Sequence, residues 1–328
     1  MSFIQVENVT KEFKVYRRYK GFFNTIKSLF HRQYEIKKAV DNISFNLNKG
    51  DLVGYIGPNG AGKSTTIKML TGILLPTSGK IIVNGRIPYI NRKENALHIG
   101  VVFGQRSQLY WDLPVDDTFE LYRKMYKIDN SQFRRNKEFY TDLLGLQEFL
   151  NKPVRQLSLG QKMRANIAIA LLHDPEIVYL DEPTIGLDVV AKNRIRRFIQ
   201  EVNRERKTTV ILTTHDMDDI EQICNRLIMI DKGLKIYDGT VQDFKSLHNS
   251  GFMILVDFAD DDVCIVDERF NVVSKEGPGR KIVCNKEIIT IGEAVSFLTR
   301  NYTVSNILIK ETEIEEIVRN VYETGGMT

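Results

Sequence analysis

Short apolar runs punctuate the first two thirds of the chain: residues 53–56 in VGYIGPNG, 99–103 in IGVVFGQ, 177–180 in EIVYLDEPT and 210–212 in TTVILTTHD. Each is too short for a buried helix and gives way to a polar or glycine-rich turn, which is the pattern of buried parallel strands. Between them, TFELYRKMYKI and QFRRNKEFYTDLLGL repeat apolar positions at helical spacing, so residues 106–173 are predicted to be mostly helical. Strand–helix alternation resumes from 177 to about 245 and predicts a parallel-sheet core. The opening MSFIQVENVTKEF alternates like a strand, and residues 2–105 read as a β-rich lobe leading into the first buried strand and helix. From about Ser250 the pattern changes. GFMILVDF, DVCIVD, RFNVVS and RKIVCN read as strands, and TIGEAVSFL and TEIEEIVRNVY as helices. Each of these helices opens on a Thr-x-x-Glu capping box, Thr290/Glu293 and Thr312/Glu315. The expected organisation is an α/β domain over 1–247 and a small α+β accessory domain over 248–328.

Composition changes this picture little. The chain has 328 residues, 42% hydrophobic and 27% charged, ordinary for a globular protein with one large and one small domain. No apolar run approaches the ~18 residues that span a bilayer, and the N-terminus has no apolar signal core. The expected location is therefore cytoplasmic. Cys224, Cys264 and Cys284 are scattered and odd in number, so they read as reduced core thiols. The five histidines show no metal-ligand spacing.

Charge changes the picture in one place. The net charge is only +4, yet residues 14–38 carry eight basic side chains against the single acid Glu35. Inside this segment Phe22, Ile26, Leu29 and Phe30 form a helical stripe, with Lys27 and Arg32 elsewhere on the helix. A basic amphipathic insertion of this kind suits a membrane surface or the flank of a membrane partner, and equally an ordinary packed helix. Tyr16, Tyr19 and Tyr34 interleave with the basic residues, but nucleic acid is not an expected partner.

Candidate chemistry begins with Gly57, Pro58, Asn59, Gly60, Ala61, Gly62, Lys63 and Ser64, which fit G-x-x-x-x-G-K-[ST] between a strand and a helix, with Thr65 directly after. The glycines let backbone N–H groups curl around phosphates, Lys63 reaches the β- and γ-phosphates, and Ser64 ligates Mg²⁺. Asp181 ends an apolar strand, where a carboxylate can hold Mg²⁺ beside such a loop. Glu182 follows it as a candidate general base. Asn48-Lys49-Gly50-Asp51 matches a guanine-reading N-K-x-D pattern, but it lies upstream of the phosphate loop and reads as a hairpin turn.

A second anion site opens at QLSLGQ. Ser158 is placed to cap a helix whose free N–H groups and dipole favour negative charge. With these motifs in order, the chain resembles the ATP-binding subunits of ABC transporters, over roughly residues 2–247. LSLGQ is similar to the family's LSGGQ, with Leu159 in place of the first glycine and Ser158, Gly160 and Gln161 retained. The wider wording, including DEPTIGLDVVAK, is most similar to ATPase subunits of bacterial type-two exporters of the multidrug or viologen kind.

The resemblance implies an ABC cassette fold: a RecA-like parallel-sheet core, a β-rich lobe and a helical subdomain over 106–173. It implies that ATP and Mg²⁺ are bound and ATP hydrolysed. Gln105 would sense Mg²⁺ and the attacking water, His215 would contact the γ-phosphate, and Asp188 would link two active sites. Phe13 would stack on adenine, with Tyr16 as its rival. Two cassettes would pair head to tail, expected as a homodimer, each LSLGQ helix covering the other's ATP. A separate integral-membrane permease would handle the exported small molecule, with the cassette peripheral on the inner face of the membrane. Tyr110 and Trp111 read as part of the groove for that permease or as a local core anchor. The alternatives are a polysaccharide- or teichoic-acid-type exporter ATPase, which the basic insertion keeps open, and a soluble ABC ATPase outside transport.

Overall fold

The structure is a computed structural model that describes residues 2–16, 34–104, 107–248, 251–260, 262–286, 288–311 and 314–323. The chain divides into two compact units, Met1–Gly239 and Thr240–Thr328. The division falls before the helix Val241–His248, which therefore groups with the second unit.

In the first unit, β1 (Ile4–Tyr16), β2 (Tyr34–Leu47) and β4 (Ser78–Val83) form a three-stranded antiparallel sheet in the order β2-β1-β4. A second sheet orders β3 (Leu52–Ile56), β5 (Ile99–Phe103), β6 (Ile177–Asp181), β7 (Thr209–Thr213), β8 (Arg226–Asp231) and β9 (Leu234–Thr240) as β5-β6-β7-β3-β8-β9. The pairs from β5 through β8 are parallel. The four apolar runs of the sequence are thus β3, β5, β6 and β7. β3 and β7 are buried throughout because neighbouring layers cover both faces. One core joins the two sheets, with Ile4, Phe45, Tyr55, Ile67, Tyr179 and Ile228 among its buried members.

Helices α1 (Lys63–Leu70) and α2 (Arg92–His98) follow strands β3 and β4. The expected helical stretch holds α3 (Val115–Tyr126), α4 (Asn130–Leu144) and α5 (Leu159–Leu171). α4 starts where Asp129 caps Ser131 and Gln132 N–H groups and stops at Gly145, which turns left-handed. α6 (Val189–Arg206) and α7 (Met217–Ile223) complete the unit.

Three local expectations are corrected. Asn48 to Asp51 does form a tight turn, with Asp51 N–H donating to Asn48 O at 3.3 Å, but it is no hairpin: β2 and β3 belong to different sheets. Residues 14–16 and 34–38 at the ends of the basic insertion are strand, extending the β1–β2 ladder to the Tyr16–Tyr34 pair. The apolar stripe Phe22, Ile26, Leu29 and Phe30 lies outside the described residues. Cys224 and Cys284 are buried as expected of core thiols, but Cys264 is exposed.

The second unit contains α8 (Val241–His248), β10 (Gly251–Phe258), β11 (Asn271–Glu276), β12 (Gly279–Asn285), α9 (Ile291–Asn301), β13 (Val304–Glu311) and α10 (Ile314–Glu323). Its antiparallel sheet runs β11-β12-β10-β13. Phe252, Ile254, Val256, Phe258, Ile282 and Leu298 form a separate buried core. Thr290 and Glu293 make the predicted capping box on α9, whereas Thr312 lies outside the described residues. DVCIVD is not a strand. Val263 and Ile265 pack on the core, and the Val263 carbonyl is taken by the Arg280 guanidinium at 3.0 Å instead of by a neighbouring strand. β13, at VSNILIKE, is a strand that the alternation of the sequence did not single out.

Candidate active site

The phosphate-loop motif joins β3 to α1, and close packing explains two of its glycines. Gly62 stands at the helix N-cap with φ 110°, and a Cβ there would lie 2.3 Å from Ala39 O. A Cβ on Gly57 would meet Ile230 O at 2.4 Å. Only glycine lets the loop pass this close to the β-rich lobe and the end of β8. The Lys63 side chain is buried, and its ammonium donates to the Gly57 and Pro58 carbonyls, the latter at 3.3 Å. Burial holds its pKa below the usual lysine value, partly offset by the charges of Glu182 and Asp181.

Parallel pairing brings the ends of β6 and β7 to this loop. Asp181 stands opposite Thr213 in the ladder. Ser64 Oγ donates to Asp181 Oδ2 at 3.1 Å, and Thr213 Oγ1 donates to Asp181 Oδ1. Glu182 has φ 54°, a left-handed conformation that costs a residue with a side chain about 1–3 kcal/mol. The turn is held because its N–H donates to Thr213 O at 2.9 Å and also reaches Thr213 Oγ1 at 3.2 Å. The turn aims Glu182 Oε1 at His215 Nε2, 2.8 Å away. Lys63, Ser64, Asp181, Glu182 and His215 therefore form one constellation. A cleft of about 300 Å³ opens on it, lined by Ser64, Lys68, Ile73, Phe103, Gly104, Asp181 and Glu182. Gln105, next in sequence after Gly104, lies outside the described residues.

The donor set fits Mg²⁺. The Ser64 hydroxyl and Asp181 carboxylate are hard oxygen ligands already within hydrogen-bond distance of each other, and Mg²⁺ takes few protein ligands, completing its shell with water and phosphate oxygens.

A second cluster forms at the start of α5. Ser158 Oγ accepts from Gln161 N–H at 3.2 Å, and Gln161 Oε1 accepts from Ser158 N–H at 2.9 Å, a complete capping box. Leu159 is 54% exposed and lies by Gly186, while Gly160 brings α5 against Ala191 of α6. Asp188 caps α6 by accepting from Ala191 N–H at 2.8 Å. The LSLGQ and TIGLD segments are therefore neighbours.

Phe13 is 39% exposed on β1, with Lys11 Nζ 5.2 Å from its ring centroid. Its ladder partner Lys37 lies two residues before Ala39, which touches the phosphate loop. Tyr110 and Trp111 are exposed, Trp111 at 61% with Lys162 Nζ 4.8 Å above its ring. Leu109, and not these aromatics, anchors the loop in the core.

Sequence reasoning missed Thr213, which orients both Asp181 and Glu182. Its signal was its place opposite Asp181 at the end of a parallel strand.

Residues 40–185 match the family model described as ABC transporter. The ABC transporter ATP-binding protein NatA of Bacillus subtilis is 34% identical over 213 residues, 65% of this chain and 86% of that protein. The linearmycin resistance ATP-binding protein LnrL of Bacillus subtilis is 38% identical over 218 residues, 66% of this chain and 68% of its own length. Among solved structures, a dimeric post-hydrolysis state of the ATP-binding cassette MJ0796 bound to ADP and Pi superposes with a TM-score of 0.60 at 26% identity. That superposition covers 73% of this chain and 98% of the cassette.

Proposed function

Because the chain belongs to the ATP-binding family of ABC transporters and is an ATPase subunit of that kind, we propose that it powers an exporter by closing with a second copy around two ATP molecules. Closure drives a separate integral-membrane permease, and hydrolysis reopens the pair. The observation that carries the reading is the 2.8 Å pair of Glu182 and His215, beside a phosphate loop whose Ser64 already hydrogen-bonds Asp181.

Backbone N–H groups between Asn59 and Thr65 and the Lys63 ammonium bind the phosphates of ATP. Ser64 and Asp181 would hold Mg²⁺, which would supply neutralisation of the phosphate charge. Glu182 accepts a proton from the attacking water as general base, and His215, hydrogen-bonded to it, keeps the carboxylate oriented and contacts the γ-phosphate. Gln105 senses Mg²⁺ and the attacking water, a role that rests on its place in the sequence after β5. Ser158, Gly160 and Gln161 offer an anion site to the partner's γ-phosphate, and the adjacent Asp188 lets the two sites sense each other. Phe13 stacks on adenine, a role supported by its exposure and by its ladder partner Lys37 lying two residues before Ala39, which meets the phosphate loop.

The resistance named for one relative favours export of a small molecule. The subunit is peripheral at the inner face of the membrane, as its pairing with a permease requires; among the described residues no helix is long and apolar enough to cross a membrane.

The test is Glu182→Gln. The variant is expected to bind ATP as tightly as the parent, hydrolyse it at least a hundredfold more slowly, and accumulate as a dimer in Mg-ATP on size-exclusion chromatography. Normal turnover would remove Glu182 from the role of base.

A further inference from the structure

Behind Glu182 and His215 lies a buried carboxylate that the proposed chemistry does not use. Asp219, on the first turn of α7, has 0% of its surface exposed. Its Oδ2 accepts from Thr184 Oγ1 at 2.5 Å and from Thr214 Oγ1 at 2.9 Å, and its Oδ1 accepts from Arg196 Nε at 2.6 Å. The Arg196 guanidinium is itself buried and reaches Asp216 Oδ1 at 3.3 Å, while Lys192 Nζ meets the other Asp216 oxygen at 2.6 Å.

The three donors to Asp219 come from three different segments. Thr184 lies two residues after Glu182. Thr214 immediately precedes His215. Arg196 sits on α6, the helix that Asp188 caps. A buried ion pair is costly unless every lone pair is used, and truncating one member strands the other. Here three donors share the carboxylate, and a desolvated charge fixes its donors far more sharply than solvent would. None of these hydrogen bonds involves a residue of the phosphate loop.

We propose that Asp219 is a positioning residue: with Thr184, Thr214 and Arg196 it fixes the turn that presents Glu182 to His215, and it ties that turn to the helix carrying Asp188. The inference rests on the roles given above to Glu182 and His215. It predicts that the knot governs the rate of the chemical step and not the hold on nucleotide.

Full-length Thr184→Val, Thr184→Ser, Asp219→Asn and Glu182→Gln are compared in Mg-ATP hydrolysis, with kcat and KM separated and folding checked by circular dichroism. Thr184→Val, which removes only the hydroxyl at similar volume, is expected to lower kcat at least tenfold with KM changed less than twofold. Thr184→Ser is expected to recover most of that rate, and Asp219→Asn to behave like Thr184→Val. Should Asp219→Asn fail to fold, the two Thr184 variants decide. A folded Thr184→Val with parental kcat, or a serine variant that does not rescue, overturns the proposal. So does a parallel change in kcat and KM, since a packing role moves both. If Glu182→Gln is inactive while Thr184→Val is not, this inference alone fails. If Glu182→Gln turns over normally, the reading of the site fails and takes this inference with it.

Discussion

His173 is a single side chain whose environment sets a pH limit. Its ring stacks on Tyr126 with centroids 4.1 Å apart, and Nε2 lies 3.0 Å from Ile99 O. Burial lowers its pKa to about 4, because the charged form has no solvent to reach, and the Ile99 carbonyl and Asp174 only partly offset this. Unfolded histidine titrates near 6.5. Between those values the unfolded chain binds the extra proton, so stability rises with pH across the window and is lost as pH falls from about 6.5 toward 4. A shift of this size corresponds to at most about 3 kcal/mol. Urea denaturation of the parent and of His173→Gln at pH 7.5 and pH 5 checks this. The parent is expected to lose more stability on acidification than the variant, and equal losses would remove His173 from the account. Glu182 shows the opposite use of local cost: strain in its backbone is tolerated because Thr213 supplies both a carbonyl and a hydroxyl to its N–H. That arrangement was invisible along the sequence, since Thr213 is far from Glu182 in the chain and only the pairing of β6 with β7 unites them.

Among the elements, α5 carries two tasks at its first turn. Ser158 closes a capping box there, so Ser158→Ala should cost about 1 kcal/mol in chemical denaturation. If the same turn also receives a partner's γ-phosphate, ATP turnover per folded molecule should fall at least tenfold, more than lost folding explains. Unchanged turnover would leave Ser158 as a cap alone. This turn, the phosphate loop and the strand ending at Asp181 were legible because their signals are local: a cap residue with Gln161 three places on, glycines at fixed offsets, a run of four apolar residues closed by an acid. Where the deciding contact is distant, the sequence was misread. DVCIVD has strand residues, but Arg280 claims its carbonyl. β13 interrupts its apolar positions with Asn306, yet it pairs with β10 from Phe252 to Phe258. Asn48 to Asp51 has turn residues, but which strands it joins depends on sheet membership.

At the scale of the whole molecule, two separate hydrophobic cores predict two unfolding events, not one. Phe252 is fully buried in the second core, and Phe252→Ala should cost about 3–5 kcal/mol there. Scanning calorimetry is expected to show only one transition moved by the substitution and the other raised by Mg-ATP, with ATP binding retained. A single transition shifted by both would mean the units melt together. The thiols have a practical consequence for the pairing of copies. Cys224 is buried with its pKa pushed well up, and burial raises Cys284 to about 11, so neither offers much thiolate near neutral pH. Cys264 alone is exposed. A maleimide dye would then mark each native chain at one place, without any cysteine being removed. Mixing donor-labelled with acceptor-labelled protein would turn assembly around ATP into a fluorescence signal that can be followed in real time.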